Sequence, residues 1–285
     1  MKECIFYING KFLPESKACI SVYDIGFLRG FAVFDFLRTY NFTPFYLKEH
    51  LKRLLKSAKI IGLKHNYTTK KLESIVLETL NKNRHLKEAN IRIILTGGKT
   101  IDFITPSKAT LIVMITPVRE LPQNIYKYGG KLITKIYERI DPQAKTIIYT
   151  DAIRFLIEAK KKKAVEVLLI NKEGKILECT TSNFFAVRKK VVLTPPPNKI
   201  LQGITRNIVI EICRKNKIPI LEKELNYKEI KKFNEVFITA SNKEILPIVK
   251  IDNFKIGKGK VGEITLFLMT KFKELTSNYG RNEIS

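Results

Sequence analysis

The stretch ECTTSNFFAVRKKVVLTPPPNKILQGITR, residues 178–206, begins with a lone carboxylate, Glu178, and ends at the start of a predicted helix. Gly203-Ile204-Thr205 precedes that helix, where backbone amides and a threonine hydroxyl can hold an anion. Thr239-Ala240-Ser241 is a second small, hydroxylated turn, which follows a predicted strand. Two anion-binding turns and a carboxylate together indicate a phosphorylated ligand that carries a nitrogen atom.

Hydrophobic periodicity on both sides of this stretch predicts hairpins, strands and helices in alternation. The predicted helices cover residues 47–61, 68–82, 149–162, 205–215, 227–232 and 262–275. The predicted strands cover residues 4–8, 11–13, 33–40, 90–96, 110–116, 131–137, 165–170, 184–187, 191–194 and 236–239. Prolines and glycines between residues 117 and 130 mark the best boundary. We therefore predict a mixed α/β and α+β fold, with an N-terminal α+β domain over 1–118, a linker over 119–130 and a C-terminal domain over 131–285.

The composition is that of an ordinary globular protein with an unusual charge. The 285 residues are 45% hydrophobic and 28% charged, which argues against a disordered chain. The formal net charge of +25 would suit a nucleic-acid partner. However, the basic residues are scattered, most of them are lysines, and no basic tail or zinc-finger spacing accompanies them. We therefore expect no nucleic-acid partner.

Cysteine and histidine spacing bears on metals, disulfides and compartment. The four cysteines form no C-x-x-C pair and the three histidines are not at metal-ligand spacing, so we predict neither a metal site nor a disulfide framework. The first residues, MKECIFYING, contain no long apolar segment, and apolar runs such as 110–116 are too short to span a bilayer. We expect no membrane partner and a cytoplasmic location.

Residues 178–206 fill every position of a family signature, and this segment resembles the class IV pyridoxal-phosphate aminotransferases. The matching residues are Glu178, Thr180, Asn183, Phe184, Phe185, Val192, Thr194, Leu201, Gly203, Ile204 and Arg206. Further similarity lies at 21–24 (SVYD), 34–38 (FDFLR), 49–54 (EHLKRL), 143–149 (QAKTIIY) and 262–265 (GEIT). The resemblance extends from about residue 4 to residue 275.

This resemblance implies a fold, a cofactor and an assembly. It implies a fold type IV enzyme with a small N-terminal α+β domain and a larger, barrel-like α/β C-terminal domain that binds the cofactor. The implied cofactor is pyridoxal 5'-phosphate. The implied assembly is a homodimer whose substrates are an amino acid and a 2-oxo acid.

The resemblance also implies roles for individual residues. Lys145 would be the catalytic lysine that forms a Schiff base with the cofactor, Tyr149 would hydrogen-bond the ring oxygen beside it, and Glu178 would face the pyridine nitrogen. Arg53, from EHLKRL, would bind the phosphate. The other residues implied to hold the cofactor are Ile204, Thr205, Ala240 and Ser241 at the phosphate, Leu201 on one ring face, Thr181, Ser182 and Asn183 along the ring edge, and Gly203.

The sequence departs from the family around the substrate side. Many members carry an aromatic-G-D-G-V-[FY]-E stretch, where this chain has RGFAVFD at 29–35. The D-alanine type carries an Arg-x-His pair on a loop that here covers 97–105 and contains neither residue. We therefore predict Arg29 and Phe34 as substrate residues. The reaction remains open between a D-amino-acid or branched-chain aminotransferase and an aminodeoxychorismate lyase, and a basic binding protein that has lost catalysis is the alternative from another class.

Overall fold

The structure is a computed structural model that describes residues 2–281. Its contacts divide the chain into two compact units. The first consists of residues 2–119, 144–148 and 277–281, and the second of Glu120–Gln143 and Tyr149–Thr276. Within residues 2–281, no helix combines the length and the apolar character needed to cross a membrane.

The first unit is built on a six-stranded antiparallel sheet with the order β2-β1-β6-β5-β3-β4. Its strands are β1 (Ile5–Ile8), β2 (Lys11–Pro14), β3 (Ala32–Tyr40), β4 (Thr43–Pro44), β5 (Ala89–Thr96) and β6 (Thr110–Pro117). Its helices are α1 (Ile25–Arg29), α2 (Leu47–Ile60) and α3 (Thr69–Asn81). Alternate residues of β3, such as Val33 and Leu37, share one core with Leu51 and Leu54 of α2. The sheet therefore buries one face against α2 and α3.

Local sequence signals account for much of this unit. The Asn9-Gly10 turn has positive φ at both residues, 46° and 94°, as a type I′ hairpin requires, and it joins β1 to β2 as predicted. The predicted helices at 47–61 and 68–82 are confirmed as α2 and α3, and the Thr68 hydroxyl accepts the N–H of Lys71 at 3.2 Å as an N-cap. The five-residue α1 was not predicted because one turn and a half shows no periodicity.

The second unit holds the larger sheet. Its strands are β7 (Gly130–Ile136), β8 (Glu166–Ile170), β9 (Lys175–Cys179), β10 (Asn183–Arg188), β11 (Val191–Thr194), β12 (Ile220–Glu222), β13 (Leu225–Asn226), β14 (Glu235–Ala240), β15 (Glu244–Ile251) and β16 (Phe254–Lys255). The remaining α-helices within residues 2–281 are α4 (Gln123–Tyr128), α5 (Thr150–Lys161), α6 (Ile204–Lys215) and α7 (Glu263–Asn278). The helix predicted at 227–232 is instead a 3₁₀ helix, Tyr227–Lys232.

The strand order shows that this sheet curls. The order is β12-β11-β10-β14-β15-β7-β8-β9-β13, with β16 paired to β15. The two end strands, β12 and β13, are separated in the chain only by Lys223 and Glu224. Three peptide steps cover at most about 11 Å, so both edges of the sheet must come close together. The predicted barrel-like α/β architecture is confirmed.

Three segments group differently from the predicted domain boundaries. Residues 120–130, predicted as linker, contain α4 and belong to the second unit, and residues 144–148 and 277–281, predicted in the C-terminal domain, belong to the first. Residues 144–148 join the first unit because they hydrogen-bond along the start of β3: the N–H of Phe34 donates to the Lys145 carbonyl at 2.9 Å. Residues 277–281 join it because the Tyr279 ring stacks on Tyr46, whose N–H donates to the Tyr279 hydroxyl at 3.0 Å. These pairings link positions far apart in sequence, so composition along the chain could not predict them.

Candidate functional site

The segment that carries Lys145 is held against β3 and α2 of the first unit. The N–H of Lys145 donates to the Ser57 hydroxyl at 3.0 Å, and its carbonyl accepts the N–H of Phe34 at 2.9 Å. The Lys145 amine lies 4.6 Å from the centre of the buried Phe34 ring. Ser57 in turn donates to the carbonyl of Arg53 at 2.9 Å. Three of the predicted residues, Lys145, Phe34 and Arg53, therefore converge in this unit.

Arg53 is anchored by a buried carboxylate that the sequence analysis did not single out as a site residue. Strand alternation places Asp35 on the core face of β3, where it is 0% exposed. Its Oδ2 accepts from Arg53 Nε at 2.9 Å, and its Oδ1 accepts from Arg53 Nη2 at 2.7 Å. Burial by itself would raise the pKa of Asp35, but Arg53 and His50 outweigh it and hold that pKa well below its ordinary value. The bidentate pair fixes the orientation of the guanidinium.

His50 completes this cluster from one turn earlier on α2. Its Nδ1 lies 2.7 Å from Asp35 Oδ1, and the ring is buried. Burial lowers the pKa of His50, Asp35 opposes this, and the nearby Arg53 and Lys145 charges lower it further. The imidazole is therefore neutral at neutral pH, and its Nδ1–H donates to Asp35.

Glu178 lies at the end of β9 in the second unit and is only 6% exposed. Its Oε2 accepts from Asn183 Nδ2 at 3.2 Å and from the N–H of Leu201 at 3.1 Å. Its Oε1 accepts from Arg139 Nη2 at 2.6 Å and Nε at 3.1 Å. The structure thus brings together the predicted residues Glu178, Asn183 and Leu201. Arg139 was missed, since it is one arginine among scattered basic residues with no motif to distinguish it.

The start of α6 fits an anion. Gly203 is its N-cap and provides no side chain to bond the amides of the first turn, which have no partner inside the helix. A Cβ added to Gly203 would lie 2.0 Å from Oδ1 of Asn183, so a larger residue would disturb Asn183. The amides of Ile204 and Thr205 stand in this first turn, where the macrodipole and the N–H groups favour a phosphate. The residues present therefore fit the phosphate of the implied cofactor.

The hydroxyls of Thr181 and Ser182 have a partner that the resemblance did not imply. Both donate to the buried carboxylate of Glu166, as does the hydroxyl of Thr180. Any contact of these residues with a cofactor would therefore use their backbone or the remaining lone pairs of the hydroxyl oxygens. Ala240 ends β14, and the half-buried Ser241 opens the following turn.

The remaining predicted residues, Tyr149 and Arg29, lie at helix ends. Tyr149 is half-buried at the N-cap position of α5, where its carbonyl accepts the N–H of Ile153 at 2.8 Å. Arg29 ends α1 and is exposed, and its Nε donates to the carbonyl of Phe103 at 3.4 Å. Arg29 thus packs on the loop between β5 and β6, within the first unit.

Known proteins similar to this chain form one family. A family model described as Amino-transferase class IV matches residues 32–251. A putative branched-chain-amino-acid aminotransferase of Methanocaldococcus jannaschii is 34% identical over 280 residues, covering 96% of this chain and 97% of the relative. A D-alanine aminotransferase of Staphylococcus epidermidis is 31% identical over 283 residues, covering 96% of this chain and 98% of the relative.

Solved structures share the fold. The branched-chain aminotransferase of Thermoproteus uzoniensis with norvaline aligns with a TM-score of 0.89 at 29% identity, over 99% of this chain and 97% of that one. A second branched-chain amino acid aminotransferase, solved with pyridoxamine 5'-phosphate, aligns with a TM-score of 0.90 at 27% identity, also over 99% and 97%. That of Escherichia coli aligns with a TM-score of 0.90 at 25% identity, over 97% and 96%. The resemblance and the fold class predicted from the sequence are confirmed.

The burial of the His50 ring predicts a pH-dependent stability. Because the pKa of folded His50 lies below its ordinary value near 6.5, the unfolded chain binds more protons there, and the free energy of unfolding falls as the pH drops from 7 to 5. The slope from one such group is at most about 1.4 kcal/mol per pH unit. His50→Asn, which keeps an N–H donor for Asp35 but does not titrate, should flatten this slope. Denaturant unfolding of both proteins across pH 5–8 measures this slope. Equal slopes for the wild type and His50→Asn would show that His50 does not cause the pH dependence.

Proposed function

Because the chain belongs to the class IV aminotransferase family, we propose that it transfers the amino group between a branched-chain or D-amino acid and a 2-oxo acid. The observation that carries this proposal is the complete signature around Glu178, with Lys145 and Arg53 at the positions that the family motifs require. The relatives include branched-chain and D-alanine aminotransferases, which supports both substrate classes. A screen of D- and L-amino acids against 2-oxoglutarate and pyruvate decides which enantiomer and which side chain the enzyme prefers.

Pyridoxal 5'-phosphate is the cofactor of this family, and when bound it withdraws electrons from the bond that reacts. Glu178 would hold a proton on the pyridine nitrogen through the oxygen that Arg139 contacts, while Asn183 and Leu201 fix the other oxygen. The first-turn amides of α6, which begins at Ile204, would hold the phosphate. Arg53 is the further phosphate ligand that the family motif implies.

Lys145 would bind the cofactor through Nζ and, once released, move the proton at the substrate Cα as general acid and base. The backbone bonds of Lys145 to Ser57 and Phe34 leave only side-chain rotation for this movement. Tyr149 would donate to the ring oxygen beside the point of attachment. Because Asp35 fixes the Arg53 guanidinium, Arg53 would meet the phosphate without reorganisation.

Lys145→Ala tests the assignment of the catalytic lysine. We expect loss of transamination and of the visible absorbance of the bound cofactor, while circular dichroism stays that of the wild type. Borohydride reduction of the wild-type protein with bound cofactor, followed by peptide mapping, should label Lys145. Lys52→Ala, an exposed lysine of α2, is the control and should keep full activity. Labelling at another lysine would overturn the assignment.

Arg29 is the proposed partner of the substrate α-carboxylate. A desolvated carboxylate requires a cation or several hydrogen bonds, and a guanidinium can bind it bidentately. Because Arg29 is exposed on its own subunit, it would reach the substrate of a second subunit. Its exposure therefore agrees with an assembly in which neighbouring chains share their sites.

Arg29→Ala should raise KM for amino and 2-oxo acids about tenfold or more. The KM of a primary amine without a carboxylate should change much less, because that substrate has nothing for Arg29 to bind. Steady-state kinetics with both substrate types measures the difference, with the exposed Arg154→Ala on α5 as control. Equal losses on both substrate types would remove Arg29 from the substrate site.

The proposed homodimer has a candidate surface on the first unit. The loop around α1 and the loop between β5 and β6 pair through the Ile25 N–H and the Gly98 carbonyl at 2.9 Å. Together they expose several large apolar side chains: Val22, Tyr23, Phe27, Ile101, Phe103 and Ile104. The Tyr23 and Phe103 ring centres lie 6.2 Å apart across the two loops, and exposed apolar side chains that cluster in this way often mark an interface. A second copy of this chain is the proposed occupant.

Phe27→Glu tests this surface because Phe27 is 67% exposed and a charge there should not disturb the core. We expect the variant to sediment as a monomer at concentrations where the wild-type protein is a dimer. Tyr128→Glu, at a comparably exposed aromatic of the second unit, should leave the assembly unchanged. A Phe27→Glu protein that remains a dimer would show that the interface lies elsewhere.

The proposed cytoplasmic location is supported by the cysteines. Cys4, Cys19, Cys179 and Cys213 are all free. Burial raises the pKa of Cys213 to about 12, and burial next to Glu166 raises the pKa of Cys179 well above its ordinary value. These two thiols stay protonated and unreactive, and the absence of disulfides among the described residues is what supports a reducing compartment.

A further inference from the structure

The second unit contains a buried ion pair outside the family signature. Glu166, the first residue of β8, is 0% exposed, and its Oε2 lies 3.1 Å from the Lys243 ammonium, which is itself only 11% exposed. Lys243 also donates to the Thr181 hydroxyl at 2.6 Å. With the hydroxyls of Thr180 and Ser182, the carboxylate has a cation and three hydroxyl donors around it.

This network remains charged inside the protein. Burial by itself would raise the pKa of Glu166, but Lys243 and the threonine hydroxyls outweigh it and hold that pKa below its ordinary value. A buried ion pair seldom adds stability over an apolar pair of similar volume. A role in fixing local geometry therefore accounts for the Glu166–Lys243 pair better than a role in stability.

The network joins two turns at the same end of neighbouring strands. Strands β10 and β14 pair with Asn183 opposite Thr239. The turn before Asn183 carries the three hydroxyls that bind Glu166, and the turn after Thr239 carries Ala240, Ser241 and Lys243. The ion pair therefore fixes the spacing between these turns, since Glu166 contacts both.

We propose that Glu166 and Lys243 are positioning residues that set the Ala240–Ser241 turn against the Thr181–Asn183 turn and so shape the phosphate-binding half of the cofactor site. This inference rests on the proposed function, because it uses the phosphate-binding role that the family resemblance implies for Ala240 and Ser241. Lys243 and Glu166 bind no cofactor atom in this scheme. They act through the backbone of the two turns.

The test compares two ligands that differ only in the phosphate. Apoprotein is titrated with pyridoxal 5'-phosphate and with pyridoxal, using the wild type, Lys243→Met, Glu166→Gln and the double variant. Each single variant should weaken pyridoxal 5'-phosphate binding about tenfold or more and pyridoxal binding about threefold or less. Because the two residues act through the same contact, the double variant should lose less pyridoxal 5'-phosphate affinity than the product of the two single-variant losses.

A second measurement reports the turns directly and needs no cofactor. Hydrogen exchange of the apoprotein should be faster at amides 180–182 and 240–243 in Lys243→Met, and unchanged in β16. Lys135→Met is the control, because Lys135 pairs with Glu158 at 2.6 Å on β7 and α5 and contacts neither turn. If Lys243→Met does not fold, Thr181→Val removes the hydroxyl between the two charges and is expected to shift both measurements in the same direction.

Equal losses of affinity for both ligands would show that the pair has only a structural role and would overturn the proposal. Unchanged affinities for both ligands would also overturn it. A wild-type protein that binds pyridoxal 5'-phosphate but transfers no amino group would contradict the proposed function. The two affinities would still decide the positioning role in that case, so the two failures are distinguishable.

Discussion

The first unit depends on one buried carboxylate, Asp35. A carboxylate that has left water must be matched by a cation and by hydrogen-bond donors, and α2 supplies both through Arg53 and His50. Arg53 and Ser57 are four residues apart and therefore lie on the same side of α2. Placing Arg53 on Asp35 thus also places Ser57, which accepts the N–H of Lys145. One ion pair determines both how α2 lies on the sheet and where the Lys145 backbone is held.

The second unit uses the same physical device twice. Glu178 and Glu166 are both buried, and each accepts from one cation on a distant segment, Arg139 and Lys243 respectively. Glu166 also accepts hydrogen bonds from the turn between β9 and β10, and Glu178 accepts one from Asn183, the first residue of β10. Because Glu178 has one oxygen on Arg139 and the other on Asn183 and Leu201, its carboxylate cannot rotate freely. These buried charge pairs therefore hold the connected loops in fixed positions relative to each other.

Sequence patterns predicted the helices and the hairpin whose formation depends on residues close together in the chain. Apolar residues at helical spacing predicted α2 and α3 within one residue of their observed bounds. The Asn-Gly pair requires positive φ, so the first hairpin followed from two residues. The 3₁₀ helix at Tyr227–Lys232 was predicted as a helix, because a segment of six residues is too short for periodicity to distinguish the two forms.

The sequence by itself determined the family and the order of the main elements, because motif spacing and periodicity are properties of the chain alone. Only the tertiary structure decided which charges meet. Asp35 and Arg53 are 18 residues apart, Arg139 and Glu178 are 39 apart, and Glu166 and Lys243 are 77 apart. No local pattern relates such positions, because their contact depends on strand order and sheet curvature. Among the many scattered lysines and arginines, pairing with a buried carboxylate is what distinguishes Arg53, Arg139 and Lys243.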